Sequence, residues 1–255
     1  MADTTKQEMA VVVGATGDMG QVIVERLVAG GLMVLAVARS EPALKALAAK
    51  HAAVRACAAD IAEDAAIEAI RRGLDRPVRM VVHAAGLPPT AMGDVLGVPL
   101  AGVAESFAIK PAGMMRLVRA VDDRLVAGSR LVAIGGHLGL EPSAQAANPG
   151  MANAALVNLM RQYALVYGKR RITAHLIAPG PTDTARVRRS ATRRAETRGV
   201  PLDTVLAEMT AESPLGILTT CDQVAWAVAM LLAPEAEAIT GSTLMLDAGR
   251  RHGLP

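Results

Sequence analysis

The feature that most constrains this chain is an apolar run that breaks into three regularly spaced glycines. Met9-Ala-Val-Val-Val13 leads directly into Gly14-Ala-Thr-Gly17-Asp-Met-Gly20. An unbroken apolar run rich in β-branched residues suits a strand covered on both faces. The glycines permit positive φ and close backbone approach immediately after it. From Asp18 to Ala29, Val22, Ile23 and Leu27 then recur at helical spacing. The segment therefore reads as strand, tight turn and helix.

The same alternation continues along the chain. Further apolar runs lie at about 33–38, 53–58, 78–83, 130–135, 171–177 and 243–246, each separated by enough residues for a crossover helix. This predicts an α/β fold, a doubly wound parallel sheet with helices on both faces, whose ligands lie outside the carboxyl ends of the strands. A hydrophobic content of 52% with only 2% aromatics suits that core, which is filled by Ala, Val and Leu. With neither a linker-like stretch nor an internal repeat, residues 1–255 read as a single domain. Ser213-Pro-Leu-Gly216 and a helix over 222–232 containing Trp226 read as structural.

A net charge of +3 without aromatics interleaved among the basic residues argues against nucleic acid as a partner. Cys57 and Cys221 are far apart, which gives no disulfide or metal signal and suits a reducing compartment. The segment Met1 to Met9 is polar, with Asp3 and Glu8, so neither a signal peptide nor a membrane span is expected there. The expectation is a cytoplasmic protein with no membrane partner.

The first turn carries the clearest binding signal. Gly14, Thr16, Gly17, Asp18, Met19 and Gly20 let the backbone approach a pyrophosphate at the amino end of the following helix, as a dinucleotide requires. At the end of the second strand, Ala38-Arg39-Ser40 places a guanidinium where an acidic residue would otherwise take the ribose hydroxyls. An Arg there pairs with a 2′-phosphate and favours NADP(H) over NAD(H), the alternative being a solvated surface Arg. Asp60, before Ile61, either accepts from the adenine amino group or caps the helix that follows, or does both.

With these residues in place the chain resembles the short-chain dehydrogenase/reductase family over roughly Met9 to Gly249. His83-Ala84-Ala85-Gly86 is similar to its Asn-Asn-Ala-Gly segment. Pro179-Gly180-Pro-Thr182-Asp-Thr184 is similar to its nicotinamide loop, and Ile239-Thr-Gly241 through Leu246-Asp-Ala-Gly249 to its last strand. The resemblance implies a single Rossmann-type domain, cofactor contacts from Ala84, Ala85, Gly86, Pro179, Gly180, Thr182 and Thr184, and a small carbonyl or alcohol substrate. It also implies a homodimer or homotetramer formed through the helices around 100–125 and 149–168. Met114, Met115, Leu117, Val118, Leu156, Leu159 and Met160 read as surplus apolar surface on those helices. One departure lies in the turn, where Asp18 stands at the position of a second glycine. A carboxylate there is unfavourable to a pyrophosphate unless it caps helix amides.

A second departure concerns catalysis. The family's Asn, Ser, Tyr and Lys fall on Lys110, Gly136, Pro149 and Asn153 in this sequence. The chain has two tyrosines, Tyr163 and Tyr167, and neither is followed four residues later by Lys. Both read as packing residues. Three readings stay open. Catalysis has moved, with Lys110 as a fixed charge, His137 as acid/base and Asn153 or Asn148 as a donor; or the fold performs a non-redox reaction; or it binds NADP(H) or another ligand without turnover. Arg186, Arg188, Arg189, Arg193, Arg194 and Arg198, just past the nicotinamide loop, read either as a site for an anionic substrate or as a solvated basic helix.

Overall fold

The computed structural model describes residues 8–88 and 92–251. The polar amino-terminal segment up to residue 7 lies outside the described residues. The chain builds one parallel sheet of seven strands in the order β3-β2-β1-β4-β5-β6-β7. The strands are β1 (Met9–Val13), β2 (Met33–Ala38), β3 (Val54–Ala58), β4 (Val78–His83), β5 (Leu125–Ile134), β6 (Thr173–Pro179) and β7 (Thr243–Leu246). The order reverses between β1 and β4, which pair from Met9↔Val78 to Val13↔His83. A crevice therefore opens outside their carboxyl ends.

Alternation within the strands sorts the core into two layers. Val11, Val13, Leu35 and Leu131 point to one face, covered by α3 (Ala65–Arg72), α5 (Pro111–Val121) and α6 (Ala147–Tyr167). Ala10, Val12, Val34 and Val132 point to the other, covered by α1 (Asp18–Ala29), α2 (Glu41–Lys50) and α9 (Cys221–Met230). Between these lie α4 (Leu100–Ile109) ahead of α5, and α7 (Ala185–Arg198) with α8 (Leu202–Ala211) after β6. No helix among the described residues is long and apolar enough to cross a membrane.

Two strand starts differ by more than one residue from the sequence expectation. β5 begins at Leu125 rather than 130, because Gly128, at φ +85°, and Ser129 carry a register shift that pairs Val78 with Leu125 and Met80 with Arg130. Gly128, Ser129 and Arg130 interrupt the apolar run and hide the strand's start. β6 begins at Thr173 because Arg171, at φ +58°, is left-handed and ends the preceding turn.

Candidate active site

The glycine turn is shaped by backbone contact. Gly14 has φ +80°, and a β-carbon on it would stand 2.7 Å from the Ala84 carbonyl, so the turn lies directly on the end of β4. A β-carbon on Gly20 would fall on the Gly14 carbonyl oxygen, which fixes how closely α1 follows the turn. A cavity of about 440 Å³ opens beside them, lined by Gly14, Thr16, Gly17, Arg39, Asp60, Ile61 and Ala84 to Gly86 among others. Residues from the ends of β1, β2, β3 and β4 thus meet in one place. Met19 turns away and packs into the core beneath α1.

Within the cavity wall, Arg39 is exposed and has no ion-pair partner among the described residues. Asp60 does not cap α3, whose amino-terminal cap is Asp64. Its Oδ1 accepts from Ala62 N at 3.0 Å and closes a short turn before the helix starts. Asp18 makes no capping bond to α1; its Oδ2 accepts instead from Ala185 N at 2.7 Å, across the molecule on α7. In the loop after β6, Thr182 Oγ1 donates to the Gly180 carbonyl at 3.1 Å and Thr184 Oγ1 accepts from Val187 N at 3.2 Å. Both Thr182 and Thr184 are buried, and Thr184 is the cap of α7.

Lys110, Gly136, Pro149 and Asn153 cluster where α4, β5 and α6 meet. Pro149 is buried in the first turn of α6, where a helix has no N–H bond to lose. Asn153, one turn later, is 6% exposed and its Oδ1 has no hydrogen-bond partner among the described residues. Its Nδ2 fills the space in front of Gly136, 2.9 Å from where a β-carbon would be. Asn148 is unavailable as an oxyanion donor, because its Nδ2 donates to the Gly102 carbonyl at 3.0 Å and Ser106 Oγ at 2.9 Å. Its hydrogens hold α6 to α4.

Lys110 ends α4 and is buried, its Nζ donating to the Ile134 carbonyl at 2.8 Å. Burial first, and the Arg186 charge second, bring its pKa down to about 7. Its charge is therefore conditional on pH rather than fixed. The sequence reading passed over His83, at the end of β4, which is completely buried. Its Nε2 lies 2.9 Å from the Ile109 carbonyl and so carries the proton, leaving Nδ1 without a hydrogen-bond partner among the described residues. Burial, then the Lys110 charge, push its pKa down to about 3. A His at the first position of the segment similar to the family's Asn-Asn-Ala-Gly is the signal that draws attention to it.

His137 stands apart, next to Asp247, Arg250 and Glu141, with its pKa lowered mainly by burial. Tyr167 is buried and donates from its hydroxyl to Asp122 Oδ1 at 2.9 Å, and burial raises the Tyr163 phenol to about 12. Neither phenol is poised for proton transfer near neutral pH.

The basic segment forms α7. Two of its six arginines are spent on carboxylates: Arg188 binds Asp183 at 2.6 and 2.7 Å, and Arg198 pairs with Glu208. The helices expected to self-associate keep most of the named residues inside. Met114, Leu117, Val118, Leu156 and Met160 are core, because the sheet needs both α5 and α6 to cover it. The outward apolar groups are Leu100, Phe107, Met115, Met151, Leu165 and Val166. Trp226 and Leu215 line a second cavity of about 510 Å³ with Ile217 and Met245, beside β7.

A family model described as Enoyl-(Acyl carrier protein) reductase matches residues 14–251. The chain is 27% identical to the 3-oxoacyl-[acyl-carrier-protein] reductase FabG of Salmonella typhimurium, covering 95% of this chain and 96% of the relative. It is 28% identical to the short-chain reductase protein NovJ of Streptomyces niveus, covering 96% and 95%. A Serratia marcescens short-chain dehydrogenase/reductase variant superposes with a TM-score of 0.83 at 25% identity, covering 97% of this chain and 99% of the other. An L-sorbose reductase from Gluconobacter frateurii, solved with NADPH and L-sorbose, superposes at 0.88 with 19% identity and 98% coverage of both chains. The sheet order, the glycine turn on β4 and the match across 14–251 agree, and the chain belongs to the short-chain dehydrogenase/reductase family.

Proposed function

We propose that this chain is an NADP(H)-dependent reductase of small carbonyl compounds in which Lys110 handles the proton. The observation that carries the cofactor half is the convergence of the glycine turn, Arg39 and Asp60 on one cavity of about 440 Å³. Arg39 would hold the 2′-phosphate, Asp60 the adenine amino group, and the backbone of Gly14 to Gly20 the pyrophosphate. Ala84 to Gly86 and the loop from Pro179 and Gly180 to Thr184 would flank the nicotinamide half. NADPH, when bound, supplies a hydride. The names of relatives support this choice, since an actinorhodin polyketide ketoreductase at 24% identity was solved with NADPH.

The proton is the part this chain must supply itself. Lys110 holds one at Nζ with a pKa of about 7, close to the operating range in which general acids are most effective. Asn153 Oδ1, buried and without a partner among the described residues, is an acceptor for a substrate or ribose hydroxyl. His137, on the Asp247 side, is the alternative proton donor. Arg186, Arg189, Arg193 and Arg194 of α7, which have no ion pair among the described residues, favour an anionic substrate. Self-association through the outward apolar residues of α4 and α5 completes the reading.

A second reading is cofactor binding without turnover, favoured by the buried Pro149 where the family carries its phenol. Mixing the protein with NADPH and a panel of ketones and keto esters separates the two. Consumption of NADPH with any member supports the reductase; tight binding without consumption across the panel overturns it.

A further inference from the structure

The helices α7 and α8 make a small apolar cluster of their own, built on Ala191, Ala195, Val205 and Met209 and separate from the two layers that flank the sheet. A unit with so little shared core is held to the body chiefly by its polar ties. At one end Arg250, just past β7, donates to the Met209 carbonyl at 3.4 Å and pairs with Glu212. At the other end the tie comes from the dinucleotide-binding turn: Asp18 Oδ2 accepts from Ala185 N at 2.7 Å. Ala185 is the first residue of α7, and its amide is one of those a helix leaves without an internal partner.

The other groups near that end are already engaged. Thr184 Oγ1 accepts from Val187 N, three residues further on, and both oxygens of Asp183 bind Arg188. Asp18 makes no capping bond to its own helix, α1, although it opens it. The Cys221 thiol at the start of α9 is pushed up first by burial, then by Asp18, Asp222 and Asp183. Asp18 therefore stands where α1, α7 and α9 begin. At this position the family resemblance expects a glycine, which has no side chain with which to make the link.

We propose that Asp18 is a positioning residue that latches α7 and α8 onto the dinucleotide-binding turn through Ala185 N. A carboxylate suits the task, because the amino end of α7 carries partial positive charge that an anion stabilises. The latch is a property of the chain by itself and does not depend on the cofactor assignment, so it can fail while the reductase reading stands, and the reverse.

The six arginines of α7 make trypsin a direct reporter of the latch. The protein, without added nucleotide, is digested briefly under native conditions and the first cuts are mapped by intact mass. Losing a hydrogen bond to a charged acceptor is expected to speed cutting within α7 by about ten-fold in Asp18→Ala and Asp18→Gly. Asp18→Asn keeps an oxygen that accepts from Ala185 N, so its rate is expected to lie closer to wild type than to Asp18→Ala. Cuts outside α7 are expected to keep their wild-type rates in all three. Equal α7 cutting in wild type and Asp18→Ala overturns the latch. So does Asp18→Asn cutting as fast as Asp18→Ala, or acceleration spread over the whole chain.

Discussion

A β-carbon placed on Gly136 would stand 2.9 Å from Nδ2 of Asn153, so the residue at the end of β5 and the residue on α6 occupy each other's space. Gly136 has an extended backbone, φ 177°, that any residue adopts, and the obstacle to a side chain is therefore Asn153. Gly136→Ser is expected to destabilise the fold by about 1 kcal/mol as the buried amide is displaced. Asn153→Ala in the same chain is expected to remove that cost. Thermal or urea melts of the two singles and the double measure the coupling; additive effects would contradict it.

Arg39 is expected to set the cofactor preference. A charge-assisted pair with the 2′-phosphate is worth about 1.5–3 kcal/mol, or ten-fold and more in affinity. Fluorescence titration is expected to give tighter binding of NADPH than NADH to wild type and near-equal binding to Arg39→Ala. Equal affinities in the wild type would remove the assignment.

Lys110 links activity to stability in opposite directions. As the proton donor it must be charged, so turnover is expected to fall as pH rises through about 7. Its folded pKa lies below the unfolded value, so the unfolded chain binds more protons between about 7 and 10.5 and stability rises with pH across that window. Below that window the cost of burying the ammonium is felt in full. Lys110→Met is expected to abolish turnover and to flatten this rise, leaving the variant at least as stable as wild type at pH 6. Turnover that survives the substitution would shift the assignment to His137, tested by His137→Ala.

Two histidines make the fold acid-sensitive. His83, at about 3, and His175, at about 4, are lowered first by burial, so both stay neutral in the folded state while an unfolded His protonates near 6.5. The unfolded chain thus gains protons first as pH falls below 6.5. Each group costs up to about 1.4 kcal/mol per pH unit in that interval. His175 lies 2.7 Å from Thr173 Oγ1, beside the buried Arg130, and His175→Gln is expected to reduce the slope of stability against pH between 6 and 4.5. Urea midpoints at several pH values give the slope, and an unchanged slope in the variant would refute the account.

Leu100, 83% exposed, with Phe107 and Met115 gives α4 and α5 an outward apolar surface. Sedimentation is expected to show a dimer or tetramer at micromolar concentration, with Leu100→Asp combined with Phe107→Asp shifting it toward monomer. A monomeric wild type would refute it.

Period and punctuation in the sequence determined the architecture. An unbroken apolar run can be covered only from both sides, and glycines after it mark a turn, so the seven strands and a ligand site outside their carboxyl ends were legible in the sequence, while the strand order that opens the crevice between β1 and β4 came from the tertiary structure. The convergence of Gly14, Arg39, Asp60 and Gly86 follows from that order, because each lies just past the end of a strand. What a side chain does once it arrives depends on neighbours distant in the chain. Asp18 meets Ala185 across 167 positions and Asn148 meets Gly102 across 46, separations at which no local pattern carries information. Burial likewise made Lys110 a titrating amine rather than a fixed charge, and put Met114 and Leu156 into the core rather than on a free surface. The local sequence could say which residues are apolar or ionisable, but only packing decided which of them lost contact with water.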